Sequence, residues 1–153
     1  MEWIGRPEPP AQPQQEAGPS HVKLIAQELA KARTAIAMLL WQLRNRPDLR
    51  NRYAELLKIS VFASEFINSI REIKEPPSEE EIKNEIINDR IILEGEKIGI
   101  LALLNYIRDC LANAMTHTSS LDEESTLKGY LEEHLQNFIQ LLNELIKSHK
   151  NPN

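Results

Sequence analysis

The sequence predicts an all-α protein: an antiparallel helical bundle of about four long helices behind an extended, Pro-rich N-terminal arm. Three observations lead there. First, the nine prolines avoid every periodic segment: five lie in residues 1–20, three mark corners (Pro47, Pro76 and Pro77), and Pro152 is near the C-terminus. Proline in a helix interior removes a hydrogen bond and clashes with the preceding turn, so this distribution leaves long stretches free to be helical. Second, those stretches place apolar residues at spacings of three and four, the signature of an amphipathic helix. Third, Ser-led capping signals stand at the expected helix starts. The chain divides into an arm, 1–20, and a single helical domain, 21–150, with helices at about 21–44, 48–73, 79–115 and 121–147.

The arm is rich in Pro, Gln and Glu and has too little apolar content to bury a core by itself. It is expected to be extended, with the apolar pair Trp3-Ile4 at its tip as an assembly anchor for a neighbouring subunit. The first helix begins at Ser20 as N-cap. Val22, Ile25, Leu29, Ala32, Ile36, Leu39 and Leu43 form its stripe, which Met38, Leu40 and Trp41 widen. The second helix opens at Pro47-Asp48, where proline suits the first helical position and Asp the positive helix end. Its stripe is Leu49, Tyr53, Leu56, Ser60, Ala63, Ile67 and Ile70, and it stops before Pro76-Pro77. Tyr53 and Trp41 are both assigned to the helix–helix core.

Ser78-Glu79-Glu80-Glu81 is a capping box, Ser at the N-cap and Glu three residues on. The third helix that follows carries Ile82, Ile86, Leu93, Ile100, Leu104, Ile107, Leu111 and Ala114, with Gly95 and Gly99 in its middle as a point of close approach or of bending. A second box, Ser120-Leu121-Asp122-Glu123, introduces the last helix, whose inward residues are Leu127, Leu131, Leu135, Phe138, Leu142 and Leu145.

With 153 residues, 41% hydrophobic and 27% charged, the chain has the size and composition of one globular domain. Ile, Leu, Glu and Lys dominate its later part, a composition that fits a thermophilic source. The lone Cys110 cannot form an internal disulfide and reads as a small core residue. No signal peptide is evident at the N-terminus. The longest uncharged apolar runs, 34–43 and 98–107, are too short to span a bilayer.

Chemistry of the enzymatic kind finds little support, and the chain is read as having no catalytic residues, no metal site and no cofactor. A di-iron bundle needs Glu-x-x-His pairs, but the residues three before His117, His134 and His149 are Ala114, Leu131 and Ile146. One cysteine and four scattered histidines do not make a zinc site. There is no Gly-rich phosphate loop and no Gly-x-Ser-x-Gly elbow. Helical RNases of the HEPN type carry Arg, four to six residues, then His; Arg108 and His117 have eight residues between them and fall on roughly opposite faces, so that activity ranks last.

The charge pattern is more informative. The net charge of −5 conceals a gradient: residues 21–74 hold ten Lys/Arg against five Asp/Glu, and residues 75–153 hold seven against fifteen. Arg44-Asn45-Arg46-Pro47-Asp48-Leu49-Arg50-Asn51-Arg52 puts four guanidinium groups in nine residues, offset by one carboxylate. Guanidinium is permanently charged and its planar fork matches phosphate. With Lys23, Lys31, Arg33 and Lys58 on the same two helices, these residues form the candidate nucleic-acid-binding set: Lys23, Lys31, Arg33, Arg44, Arg46, Arg50, Arg52 and Lys58. A base-reading helix-turn-helix would want a short recognition helix after a Gly-bearing turn, which is absent, so the expected contacts are to backbone phosphates.

Arm, basic helical pair and acidic helices together resemble, in organisation, the coat proteins of filamentous viruses of hyperthermophilic archaea. Those are small all-helical proteins that assemble as paired subunits around double-stranded DNA. The resemblance implies a structural virion protein, located in the virion, whose partners are double-stranded DNA, copies of itself and a second, paralogous coat subunit sharing the load. The alternative is a cytoplasmic helical adaptor or regulatory module that grips an acidic protein through the same arginines.

Overall fold

The computed structural model describes residues 20–70, 77–89 and 99–150. They form six α-helices and no strand: α1 (His21–Gln42), α2 (Pro47–Arg52), α3 (Leu56–Ile70), α4 (Glu79–Asp89), α5 (Ile100–Thr118) and α6 (Thr126–Lys150). The arm, with Trp3 and Ile4, lies outside the described residues.

The first helix follows its sequence closely. Ser20 Oγ accepts from the Lys23 amide at 3.2 Å, and Ile25, Leu29, Ala32, Ile36 and Leu39 are completely buried. The capping box at α4 also forms as its residues dictate: Ser78 Oγ accepts from the Glu81 amide at 3.2 Å, and the Glu81 carboxylate accepts from the Ser78 amide at 2.9 Å.

Three expected helices differ in extent. The helix expected over 48–73 is broken into α2 and α3. Around Tyr53 the amides of Tyr53, Ala54, Leu56, Leu57 and Lys58 each reach back three residues rather than four, which tightens the chain while Tyr53 and Leu56 both remain buried. The helix expected over 79–115 is two helices. Gly99 is not inside α5 but caps it, in extended geometry (φ −66°, ψ 159°); Gly95 lies outside the described residues. The last helix starts at Thr126, five residues late, because the second capping box is not used. Glu123 pairs with Lys128 instead, Asp122 Oδ1 accepts from the Glu124 amide, and Ser125 Oγ, accepting from Leu127, supplies the cap.

Helix α1 is the hub, packing against α5, α3 and α4, while α6 packs on α5. His21 lies 6.2 Å from His117 (ring centroids), and Asn113 reaches Glu28. The start of α1 therefore meets the end of α5, and the two run antiparallel. Phe62 of α3 meets Tyr130, His134 and Phe138 of α6, its ring stacked on His134 at 4.9 Å. Helix α4 lies over the α1–α5 seam, with Ile82 and Ile86 fully buried beneath it. Three polar contacts hold it there: Thr34 Oγ1 donates to the Pro77 carbonyl at 3.1 Å, Tyr106 Oη donates to Glu85 at 2.8 Å, and Lys31 of α1 pairs with Glu85 at 3.7 Å.

Candidate functional site

The corner between α1 and α2 is built by tight turns. The amides of Leu43, Arg44 and Arg46 donate to carbonyls three residues back, and Pro47 then starts α2 with its ring-fixed φ. Leu43 is buried while Arg44, Arg46, Arg50 and Arg52 are all exposed. The turns thus anchor the corner through one leucine and leave four guanidiniums in solvent.

Trp41 is the surprise at this end. Expected in the core, it is instead 64% exposed, because α1 places it on the side that no described helix covers. Arg44 lies over its ring, 4.1 Å from the centroid, and donates to the Trp41 carbonyl at 2.8 Å. A cation held on an indole face gains from the ring's quadrupole, and Arg44 is thereby oriented without losing its charge to a carboxylate. Ala37, Leu40, Trp41, Arg44, Pro47, Arg50 and Asn51 line an open groove of about 510 Å³ beside the corner.

A third element joins the site from the far end of the chain. Arg52 Nη2 donates to Ser148 Oγ at 3.0 Å, and Tyr53 Oη and His149 Nδ1 share a hydrogen bond of 3.2 Å. The C-terminal turn of α6, with the exposed Lys147, therefore sits against the arginine corner, where a helix's negative end favours cations. Burial raises the Tyr53 phenol above its ordinary value, so it stays a neutral hydrogen-bonding group. Sequence reasoning did not place α6 here, since the pairing bridges 96 positions.

The eight candidate cations do not form one surface. Arg44, Arg46, Arg50 and Arg52 gather at the corner, and Lys58, exposed in the first turn of α3, is close by along the axis. Lys23 lies at the opposite end of α1, twenty-one residues or about 30 Å from Arg44. Arg33 is mid-helix, half-buried, and donates to Ser64 at 3.0 Å across the α1–α3 groove. Lys31 is neutralised locally by Glu28 at 3.2 Å and Glu85 at 3.7 Å. Burial opposes its charge, but the two carboxylates outweigh burial and leave its pKa raised. By contrast, Arg46, Arg50 and Lys58 have no ion-pair partner among the described residues.

Beyond Asp48 within the corner itself, exposed carboxylates also gather elsewhere. Asp122, Glu123 and Glu124 are exposed in the α5–α6 loop, beside the start of α1 and so at the other end of the molecule from the corner. Among the described residues no group of His, Cys, Asp and Glu is arranged to hold a metal ion, and no helix is long and apolar enough to cross a membrane. Cys110 is buried, as its place in the apolar stripe suggested. Burial pushes its thiol far above the ordinary range, which disfavours the thiolate a nucleophile needs.

No protein-family model matches this chain, and neither a curated protein nor a solved structure was found to match it.

Proposed function

We propose that this protein is a structural assembly subunit that coats double-stranded DNA in a virion, gripping phosphates through the arginine corner without reading bases. The observation that carries the reading is the grouping of Arg44, Arg46, Arg50 and Arg52 at one end of the molecule, exposed and without an ion-pair partner among the described residues. Four exposed guanidiniums offset only by Asp48 repel one another, and a polyanion relieves that repulsion while its own condensed counterions are released. In this reading α1, α3, α5 and α6 are the four walls of an antiparallel bundle, α2 and α4 are accessories, and residues 1–20 form a strap to the next subunit, with Trp3 and Ile4 at its tip. Lys31 and Lys23 drop out of the phosphate surface, the first because it is paired and the second because of its distance. Arg33 has a structural role on Ser64.

The test is assembly on DNA. Purified protein mixed with linear double-stranded DNA is expected to give regular filaments by electron microscopy, and the variant with Gln at 44, 46, 50 and 52 is expected to give none while keeping its helical circular dichroism. A protein that stays a discrete, DNA-free particle at low salt refutes the coat reading. Capture of an acidic protein in place of DNA would instead support the adaptor.

A further inference from the structure

The outer face of α3 carries two exposed apolar residues one turn apart, Leu57 (45% exposed) and Val61 (57%). Helix α3 is engaged on both sides. Ser64 meets Arg33 of α1, and Phe62 meets the ring cluster of α6. The stripe between these contacts faces outward. Tyr130 of α6, 49% exposed and 5.7 Å from the Phe62 ring, borders it. Two charged residues flank the stripe, Lys58 and Glu65, both exposed. Neither side chain has an ion-pair or hydrogen-bond partner among the described residues. They cannot satisfy each other, since seven residues separate them by two turns, about 10 Å.

That spacing makes the face complementary to itself. Positions seven apart lie on the same flank of a helix. When two such helices pack antiparallel about a two-fold axis, each residue meets the one equally far beyond the axis. The midpoint between Lys58 and Glu65 falls beside Val61. An axis there sets Lys58 of each copy level with Glu65 of the other, on the same flank, and brings the two Val61 side chains together with Leu57 beside them. We propose that this face of α3 is an isologous interface with a second copy of this chain, closed by Val61 and Leu57 and keyed by two reciprocal Lys58–Glu65 ion pairs. Lys58 thereby serves subunit pairing and not phosphate binding. The inference deepens the assembly half of the function proposed above, yet it rests on the charge and shape of α3 alone and requires no DNA.

The experiment is sedimentation velocity on the full chain, without nucleic acid, over a rising concentration series. Wild type is expected to shift from monomer to dimer. Lys58→Glu and Glu65→Lys singly each place like charges at both pairs and are expected to weaken dimerisation about tenfold or more. The double variant Lys58→Glu/Glu65→Lys rebuilds both pairs with reversed sign and is expected to recover dimerisation to within about threefold of wild type. Val61→Asp, at the axis, is expected to leave a monomer with unchanged circular dichroism. A wild type that stays monomeric throughout, a dimer indifferent to Val61→Asp, or a double variant no better than the singles overturns the proposal. DNA binding is scored separately: its survival in the Val61→Asp monomer, or its absence in a wild type that still dimerises, separates failure of one reading from failure of the other.

Discussion

Replacing the corner arginines one at a time with glutamine should flatten the salt dependence of DNA binding in steps. Each guanidinium that neutralises a phosphate releases condensed counterions, and log affinity falls with log salt at a slope of about −0.9 per contact on duplex DNA. Arg44 and Arg52 spend a donor each on the Trp41 carbonyl and Ser148, but a guanidinium has five N–H donors, so all four remain competent. Four contacts per subunit give a slope near −3.6, or about a 150-fold loss of affinity between roughly 50 and 200 mM salt. Removing Arg46 should reduce the slope to about −2.7 and the loss to roughly 40-fold. Lys31→Gln should leave the slope unchanged, because Glu28 and Glu85 already hold that charge. Fluorescence anisotropy with a short labelled duplex measures each slope. A wild-type slope near zero, or one that Lys31→Gln reduces as much as Arg46→Gln does, would refute the assignment of the corner.

Other expectations concern the scaffold. Burial holds the Cys110 thiol and the Tyr106 phenol protonated well above their ordinary values, so the native state keeps protons that the unfolded chain releases. This stability is whole below the ordinary thiol value of about 8.5 and declines as pH rises beyond it, by roughly 1.4 kcal/mol per pH unit for the thiol. The decline steepens above about 10 as Tyr106 joins. Urea unfolding from pH 8 to 10.5 should show it, and Cys110→Ala should remove the first limb; a flat profile in wild type would count against it. Gly129 lies in α6 with nothing within 4 Å of an added Cβ, so Gly129→Ala should stabilise by about 0.5–1 kcal/mol in thermal unfolding. Ser125→Ala removes the cap that α6 uses and should cost about 1 kcal/mol. Ser120→Ala, at the unused box, should fall within about 0.5 kcal/mol of wild type.

What could be read in advance was local. Ser20 and Ser78 cap helices because their partners sit three residues away, and Pro47 starts one because its ring fixes φ. Ser120 misled for a reason three residues cannot reveal: Glu123, which would have closed the box, has a nearby ammonium in Lys128 and takes it. The break at Tyr53 was silent because Tyr53-Ala54-Glu55 contains no helix breaker, and the tightening is imposed by burying Tyr53 and Leu56 together. At the corner, the count of arginines was plain from the sequence, but their neighbours were not. Trp41 looked apolar enough for the core, and only the packing of α3, α4 and α5 around α1 shows that none of them covers it. Lys31 looked as available as Arg44 until Glu85 came to it from 54 residues downstream.

The placement of opposite charges at opposite ends has a kinetic meaning. With the arginine corner at one extremity, and Asp122 and Glu124 beside the Glu123–Lys128 pair at the other, the described residues carry an electric moment along their length. The field of a polyanion then exerts a torque before any contact is made. A molecule drifting toward a phosphate backbone would be turned corner-first, its acidic tip pointing away. Productive encounters would outnumber those expected of an unoriented body, and added salt would erase that advantage.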